Sequence, residues 1–309
     1  MRPLTCVIAA GMLAVATPSV QAATTAYGEA FDTLYRFDLD TRVAERIGEA
    51  GPYAGQTIGN ISGLTVTPDG SMYAVAGGLK LLIGVDPANG RAAVLADFGL
   101  AGQGDPARND ALDLNMIAGC EGELWLTSAY AQKVWTVDPA DGTTVLVGDT
   151  GAAISGLALR EGELFGAAGK DDNRFYRIDT TTGAATPIGG FGAEATRWIN
   201  SISMAFDTDG MLWAVLNYVP PEDDDQTPAD WSDLARIDPR TGTLDILGPI
   251  TGPETLREVG MKGFTLGPPQ CGRGGPAPIS APVDAPWALL LLGLLVAGAA
   301  GANRRRFVR

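Results

Sequence analysis

Short apolar runs recur along the middle of the chain, each closed by an aspartate and followed by a polar turn. They fall at residues 34–38, 81–86, 134–138, 175–179 and 234–238. In four of the five, glycine stands four residues after the aspartate, at Gly90, Gly142, Gly183 and Gly242. Aspartate bonds the backbone of a tight turn, and glycine supplies the positive φ of a bulged hairpin. The first run has Arg42 at that place, which predicts a different turn there. A second phrase precedes the first: an apolar alternation, a glycine turn, then an aromatic three residues on. Its pairs are Gly70 and Tyr73, Gly122 and Trp125, Gly162 and Phe165, Gly210 and Trp213. Runs this short between turn residues read as strands. The aromatic is expected to pack one unit on the next.

Each unit therefore holds four strands, and the units recur every 40–60 residues or roughly so, a spacing that signals a propeller. The first unit lacks an innermost strand. The missing phrase stands at the other end, where Met261-Lys262-Gly263-Phe264-Thr265-Leu266 matches Ile61-Ser62-Gly63-Leu64-Thr65-Val66 and Ile154-Ser155-Gly156-Leu157-Ala158-Leu159. The C-terminal strand should pair with the N-terminal blade, closing a ring and removing its open edge. The expectation is an all-β, five-bladed β-propeller. Six or seven blades would follow if residues 99–113 or 219–231 hide a degenerate one. The repeats resemble those of secreted propellers with PQQ-like, NHL-like or kelch-like blades over about residues 24–267. The resemblance is one of architecture and names no ligand.

The ends read differently. Residues 1–22 combine Arg2, an apolar run and Val20-Gln21-Ala22, the pattern of a signal peptide; Cys6 would leave with it. Residues 23–271 form the propeller domain. Residues 272–286 are a Pro/Gly-rich linker, 287–303 an apolar stretch read as a short transmembrane helix, and 304–309 a basic cytoplasmic tail. Pro282, Val283, Asp284, Pro286 and Trp287, with the apolar stretch and terminal arginines, resemble the sorting tails of the IPTL-CTERM or PEP-CTERM kind in Gram-negative bacteria. That resemblance implies an exosortase-type processing enzyme and the inner membrane as partners. It also implies an exported protein, anchored as a precursor and then periplasmic, cell-surface or extracellular. The motif departs from the common Ile-Pro-Thr-Leu form, and a plain C-terminal anchor is the alternative.

Charge and chemistry narrow the function. Residues 1–22 and 287–309 carry five arginines and no acid, so the block between is five units more negative than the −14 of the whole chain. Such acidity argues against nucleic acid as a partner. The chain has no histidine, which excludes histidine triads and histidine-ligated zinc. No nucleophile elbow, P-loop or dinucleotide fingerprint is present, and no catalytic residue is assigned. Cys120 and Cys271 should both leave the ring on the face opposite its long loops, where they can pair; a buried Cys120 with an unpaired Cys271 is the alternative.

Candidate ligand-binding residues lie at the channel mouth on the long-loop face. Asn60 and Asn200 precede innermost strands, with Trp198 and Asp113 nearby. Gly260, Ala153 and Leu114 stand at about the other strand starts and supply no acid set. Asparagine that merely caps a turn is the plainer reading. Of the two long loops, one carries Asp105, Asp110 and Asp113; the other carries Asp223, Asp224 and Asp225, a candidate Ca2+ site. Their spacing fits no EF-hand, and acidic loops are usually just solvated. Glu29, Arg177 and Arg236 read as exposed or rim charges. Two functions remain: a binding module for a protein, glycan or matrix component, and a calcium-dependent hydrolase or lactonase using the channel.

Overall fold

The computed structural model describes residues 25–271, apart from 171, 194, 196, 197, 219–230, 254, 255, 257 and 258. The sequence-derived signal peptide, linker, apolar stretch, basic tail and Asp223–Asp225 loop lie outside the described residues. Among the described residues no helix is long and apolar enough to cross a membrane.

Five four-stranded antiparallel sheets make a five-bladed propeller with almost no helix. Innermost strand first, blade 1 is Met261–Thr265, Thr25–Ala30, Thr33–Asp38 and Ala44–Glu49. Blade 2 is Ile61–Val66, Met72–Ala76, Leu81–Val85 and Ala92–Asp97; blade 3 is Leu114–Ala118, Leu124–Ser128, Lys133–Val137 and Thr144–Asp149. Blade 4 is Ile154–Arg160, Glu163–Ala168, Arg174–Ile178 and Ala185–Gly190; blade 5 is Ser201–Phe206, Leu212–Asn217, Ser232–Ile237 and Leu244–Pro249. The C-terminal strand pairs with the N-terminal one through Tyr27↔Thr265 and Gly28↔Phe264, as the displaced repeat predicts. The innermost strands pack in ring order, blade 5 against blade 1 included.

Apolar clusters fill the seams between blades. The aromatic of each second strand faces the following blade: Tyr73 packs against the blade 2–3 cluster, Trp125 belongs to 3–4, Phe165 to 4–5 and Trp213 to 5–1. The aspartate turns reach across the same seams. Asp86 accepts from the Ala88 backbone N–H at 2.9 Å, Asp138 from Ala140 at 2.8 Å and Asp179 from Thr181 at 2.8 Å. The residue four further on donates back to the aspartate carbonyl at 2.8 Å. Arg42 does this too, at 2.8 Å and with φ 58°. The expected difference in the first turn is therefore wrong: arginine itself takes the left-handed conformation, at a cost glycine avoids.

What these turns touch explains their glycines. Third and fourth strands slip register once in every blade, leaving a bulge followed by Gly48, Ala96, Gly148, Gly189 or Gly248. The next blade's turn seats there. A Cβ on Gly48 would stand 2.0 Å from the Asn89 carbonyl oxygen, one on Gly148 2.0 Å from that of Thr182, and one on Gly189 1.9 Å from that of Thr241. At the closing seam a Cβ on Gly248 would meet only Arg42 Nε at 3.9 Å. There the Ala44 N–H donates to the Thr251 carbonyl at 2.7 Å and the Thr251 N–H to that of Arg42 at 2.9 Å.

The ring is too small for an open bore. One equivalent position on each innermost strand carries Ser62, Asn115, Ser155, Ser203 and Lys262. Ser62 Oγ donates to the Leu114 carbonyl at 2.6 Å, Asn115 Nδ2 to Ser203 Oγ at 3.4 Å, and Ser203 Oγ to the Lys262 carbonyl. On the face away from the long loops, the chain after Thr265 crosses the ring. The Gln270 carbonyl accepts from the Glu161 N–H of blade 4 at 2.6 Å, and Cys271 is joined to Cys120 of blade 3 with Cα atoms 5.3 Å apart. This disulfide closes a loop with a sequence separation of 151, which in the chain-entropy picture contributes about 5 kcal/mol.

The seams can be probed singly. Gly189→Ala should lower stability by about 2–3 kcal/mol, because backbone rather than a yielding side chain meets the new methyl. Gly78→Ala, with nothing within 4 Å of its Cβ, should change it little. Equal denaturant midpoints for the two variants would refute the account.

Candidate functional site

The loops entering the innermost strands and those between second and third strands gather at the open mouth. Two cavities lie there. The first, about 520 Å³, is lined by Phe31, Tyr35, Asn60, Asn200, Trp231 and Lys262 among others. The second, about 460 Å³, is lined by Lys80, Arg108, Asp110, Asp113, Tyr130 and Lys262 among others. Asn60 and Lys262 border both.

The second cavity is built around a carboxylate. Asp113 accepts from Lys170 Nζ on one oxygen and lies 3.4 Å from Lys262 Nζ on the other. All three side chains are only 13–19% exposed. Burial alone would raise the Asp113 carboxyl, but Lys262 and Lys170 outweigh it and hold it below the usual carboxylate range. Tyr130 forms the wall. The Lys170 ammonium sits 5.0 Å from its ring centroid and the Arg108 guanidinium 4.8 Å. Burial, and then the Asp113 charge, raise the Tyr130 hydroxyl above its ordinary value.

A second ion pair braces the loop beside it. Lys80 Nζ donates to Asp110, whose carboxylate also accepts the Gly102 and Gly104 N–H groups at 2.7 Å each. The Lys80 bond first, and then those amides, pull the Asp110 carboxyl down to about 2. Asp105 caps the short 3-10 helix Pro106–Arg108, accepting from the Ala107 N–H at 2.9 Å. These acids are spent on the loop's own structure.

The structure brings together Asn60, Asn200 and Asp113, with two corrections of register. Ser203 matches Ser62, so Ser201 and not Asn200 stands at the place of Asn60. Leu114 is the first residue of its strand and pairs with Ser128, so Asp113 occupies the place equivalent to Asn60. Asn60 and Asp113 both take positive φ, 53° and 50°, a conformation that short polar side chains tolerate. Trp198 is half-buried and lines neither cavity. Cys120 and Cys271 lie on the opposite face. Among the described residues no three histidine, cysteine or acidic side chains come together as a metal would require.

Sequence reasoning missed the lysines, though a signal existed. The chain has four lysines, Lys80, Lys133, Lys170 and Lys262, and three converge on this mouth. Lys262 also breaks the serine–asparagine pattern of its repeat position. Glu29 was misread as a rim charge. It is 1% exposed on the second strand of blade 1, with Oε2 lacking a partner among the described residues. Arg177 is exposed and pairs with Glu163 at 3.3 Å, whereas Arg236 is half-buried, 4.4 Å from the Trp213 ring centroid.

No protein family and no curated protein matches the chain. Among solved structures it is similar to a protein of unknown function from Bacteroides thetaiotaomicron, at 15% identity and TM-score 0.46, covering 62% of this chain and about half, 53%, of that one. It is similar to virginiamycin B lyase from Staphylococcus aureus, at 14% identity and TM-score 0.42, covering 75% and 72%. A gluconolactonase from Xanthomonas campestris gives 16% identity and TM-score 0.44, covering 74% and 79%. Likeness at this level does not bear on what this chain binds or transforms.

Burial first, and then the Asp32 charge, push the Glu29 carboxyl up to about 8. Its native state holds a proton that the unfolded chain releases above an ordinary 4.5. The stability it contributes is complete below that value and is lost as pH rises through about 8. With no histidine in the chain, little else titrates in that interval. The melting temperature should fall steadily between pH 5 and 8, and Glu29→Gln should flatten the profile. A wild-type profile already flat across this range would show that Glu29 is ionised in the fold.

Proposed function

We propose that this chain is an exported propeller acting as a binding module of the cell envelope or extracellular matrix, and that it receives an anionic group at its channel mouth. One observation carries the reading. In a chain of net charge −14, three of four lysines converge on one mouth, and two of them share a single carboxylate. Asp113 offsets one of those positive charges; the other is held at low exposure with no second carboxylate paired to it among the described residues. A partly desolvated cation gains from an anion more than an exposed one does. Export rests on residues 1–22 and the tail after 272. The mature form should begin near Ala23 and end near the 282–286 motif, which an intact mass of exported protein would establish.

The calcium-dependent hydrolase or lactonase remains the second reading, because Asn60, Asn200 and Asp113 do stand around one mouth. Calcium there would have to displace both lysines from Asp113, and Asn60 and Asn200 would bring only neutral amides. The Asp223–Asp225 loop is untouched by this argument.

Calorimetry and thermal shift with acetate, citrate, phosphate and Ca2+, alongside turnover of a lactone panel, separate the two. Multivalent carboxylates should stabilise the protein in a salt-sensitive manner. Lys262→Gln should weaken them by about tenfold, the size of one charge-assisted bond. Calcium should neither stabilise nor switch on turnover. Absence of any anion effect, or calcium-dependent lactone hydrolysis, would overturn the proposal.

A further inference from the structure

The anion site is half of a larger feature. The two cavities share Asn60 and Lys262, so a ligand whose acidic group sits on Lys262 in the second cavity extends into the first cavity or out to solvent. The first cavity differs in character. It offers the Phe31 and Trp231 rings and the Asn60 and Asn200 amides, beside a few charged groups. Its volume of about 520 Å³ lies within the range of small-ligand sites.

Phe31 is the informative residue. It forms the turn between Thr25–Ala30 and Thr33–Asp38 with φ 58°, and is 57% exposed. A turn position of this kind favours glycine or asparagine, and a bulky residue there is strained. Nothing about the core calls for a phenyl group at that point. Its backbone is nevertheless fixed. The Phe31 carbonyl accepts from the Ile61 N–H at 2.8 Å, which ties the turn to blade 2. A Cβ on Gly59 would stand 3.2 Å from the ring, so Gly59 leaves it room. A strained, exposed, buttressed aromatic at the rim of a cavity is a stacking platform.

Aromatic faces and amides suit a hydroxylated ring; the adjoining Lys262 ammonium suits a carboxylate. We propose that the ligand is an acidic oligosaccharide of the uronic-acid type, its carboxylate held by Lys262 and its neighbouring ring stacked on Phe31. The acidic unit lies at a chain end. The surrounding surface is strongly negative, so a long polyanion laid across it would be repelled, while one terminal carboxylate reaching Lys262 would not. This inference rests on the anion-binding reading and narrows it to a ligand class.

Binding of a trisaccharide, a neutral disaccharide extended at its non-reducing end by one glucuronic acid, to the full chain is measured by calorimetry, beside its methyl ester, acetate, and a tripeptide with a free C-terminal carboxylate. The acid should bind at least about tenfold more tightly than the ester, and Lys262→Gln should remove that preference. Phe31→Gly relieves the strained turn, so folding is not at risk. It should weaken the trisaccharide about tenfold and leave acetate unchanged. Equal binding of acid and ester, no effect of Phe31→Gly, or a tripeptide that binds in place of the trisaccharide would overturn the inference while leaving the anion site standing. If acetate, trisaccharide and tripeptide all fail to bind, the anion site falls with it.

Discussion

The architecture depends on one steric condition: the turn of each blade must lie directly on the bulge of the blade before it. Side chains would hold those backbones apart. The chain meets the condition with glycines on one or both partners, Gly48 against the Asn89–Gly90 turn, Gly148 against Thr182–Gly183, and Gly189 against Thr241–Gly242. Where one partner is Ala96, the glycine is Gly142, whose Cβ would come 2.3 Å from the Ala96 methyl. The closing seam relaxes the condition. Arg42 replaces the turn glycine, the backbones stand further apart, and a Thr251 N–H bond to the Arg42 carbonyl joins the seam bond that Ala44 makes as Ala92, Ala185 and Leu244 do elsewhere. Seam spacing of this kind sets how tightly the ring curls, and five blades leave an axis that serine and asparagine can fill.

A filled axis moves chemistry to the rim. Polar side chains along the innermost strands bond to one another and to neighbouring carbonyls, so they stiffen the ring and are not free for a ligand. The lysine at position 262 is the one member of this set with reach. It climbs to the mouth, where Asp113 and Lys170 meet it. The acidic loop that carries Asp105, Asp110 and Asp113 is turned inward: Asp110 secures two loop amides and Lys80, and Asp113 is occupied by two ammonium groups.

The repeat made the fold legible, down to the displaced strand that closes the ring, because period-two alternation and turn residues are local signals. Errors arose where a residue type stood in for a conformation. Arg42 was expected to change its turn because it is not glycine, yet an arginine can pay the cost of positive φ when the seam around it demands the same path. Whether Asp113 or Leu114 stands just before the strand is not visible in the chain, since the pairing of Leu114 with Ser128 is what places the strand's first residue. The lysine cluster was hidden for a different reason. Its members lie 182 positions apart at the extremes, from Lys80 to Lys262, and only ring closure brings the innermost strand of blade 1 to the mouth that blades 2 and 4 share. Glu29 could not be recognised as buried, since a charged residue in an otherwise ordinary strand gives no outward sign of facing a seam.

The disulfide has a mechanical meaning beyond its loop entropy. Without it, tension applied to the chain beyond residue 271 would peel Met261–Thr265 from Thr25–Ala30, breaking ladder bonds one at a time from the end. With Cys271 bonded to Cys120, that tension passes instead into the turn after Leu114–Ala118 in blade 3, and the closing strand carries none of it. The pairing of the closing strand with its neighbour is then no longer the first bond set in the path of the load. A propeller held in this way can be pulled by whatever lies beyond its last cysteine without being unzipped at its own seam.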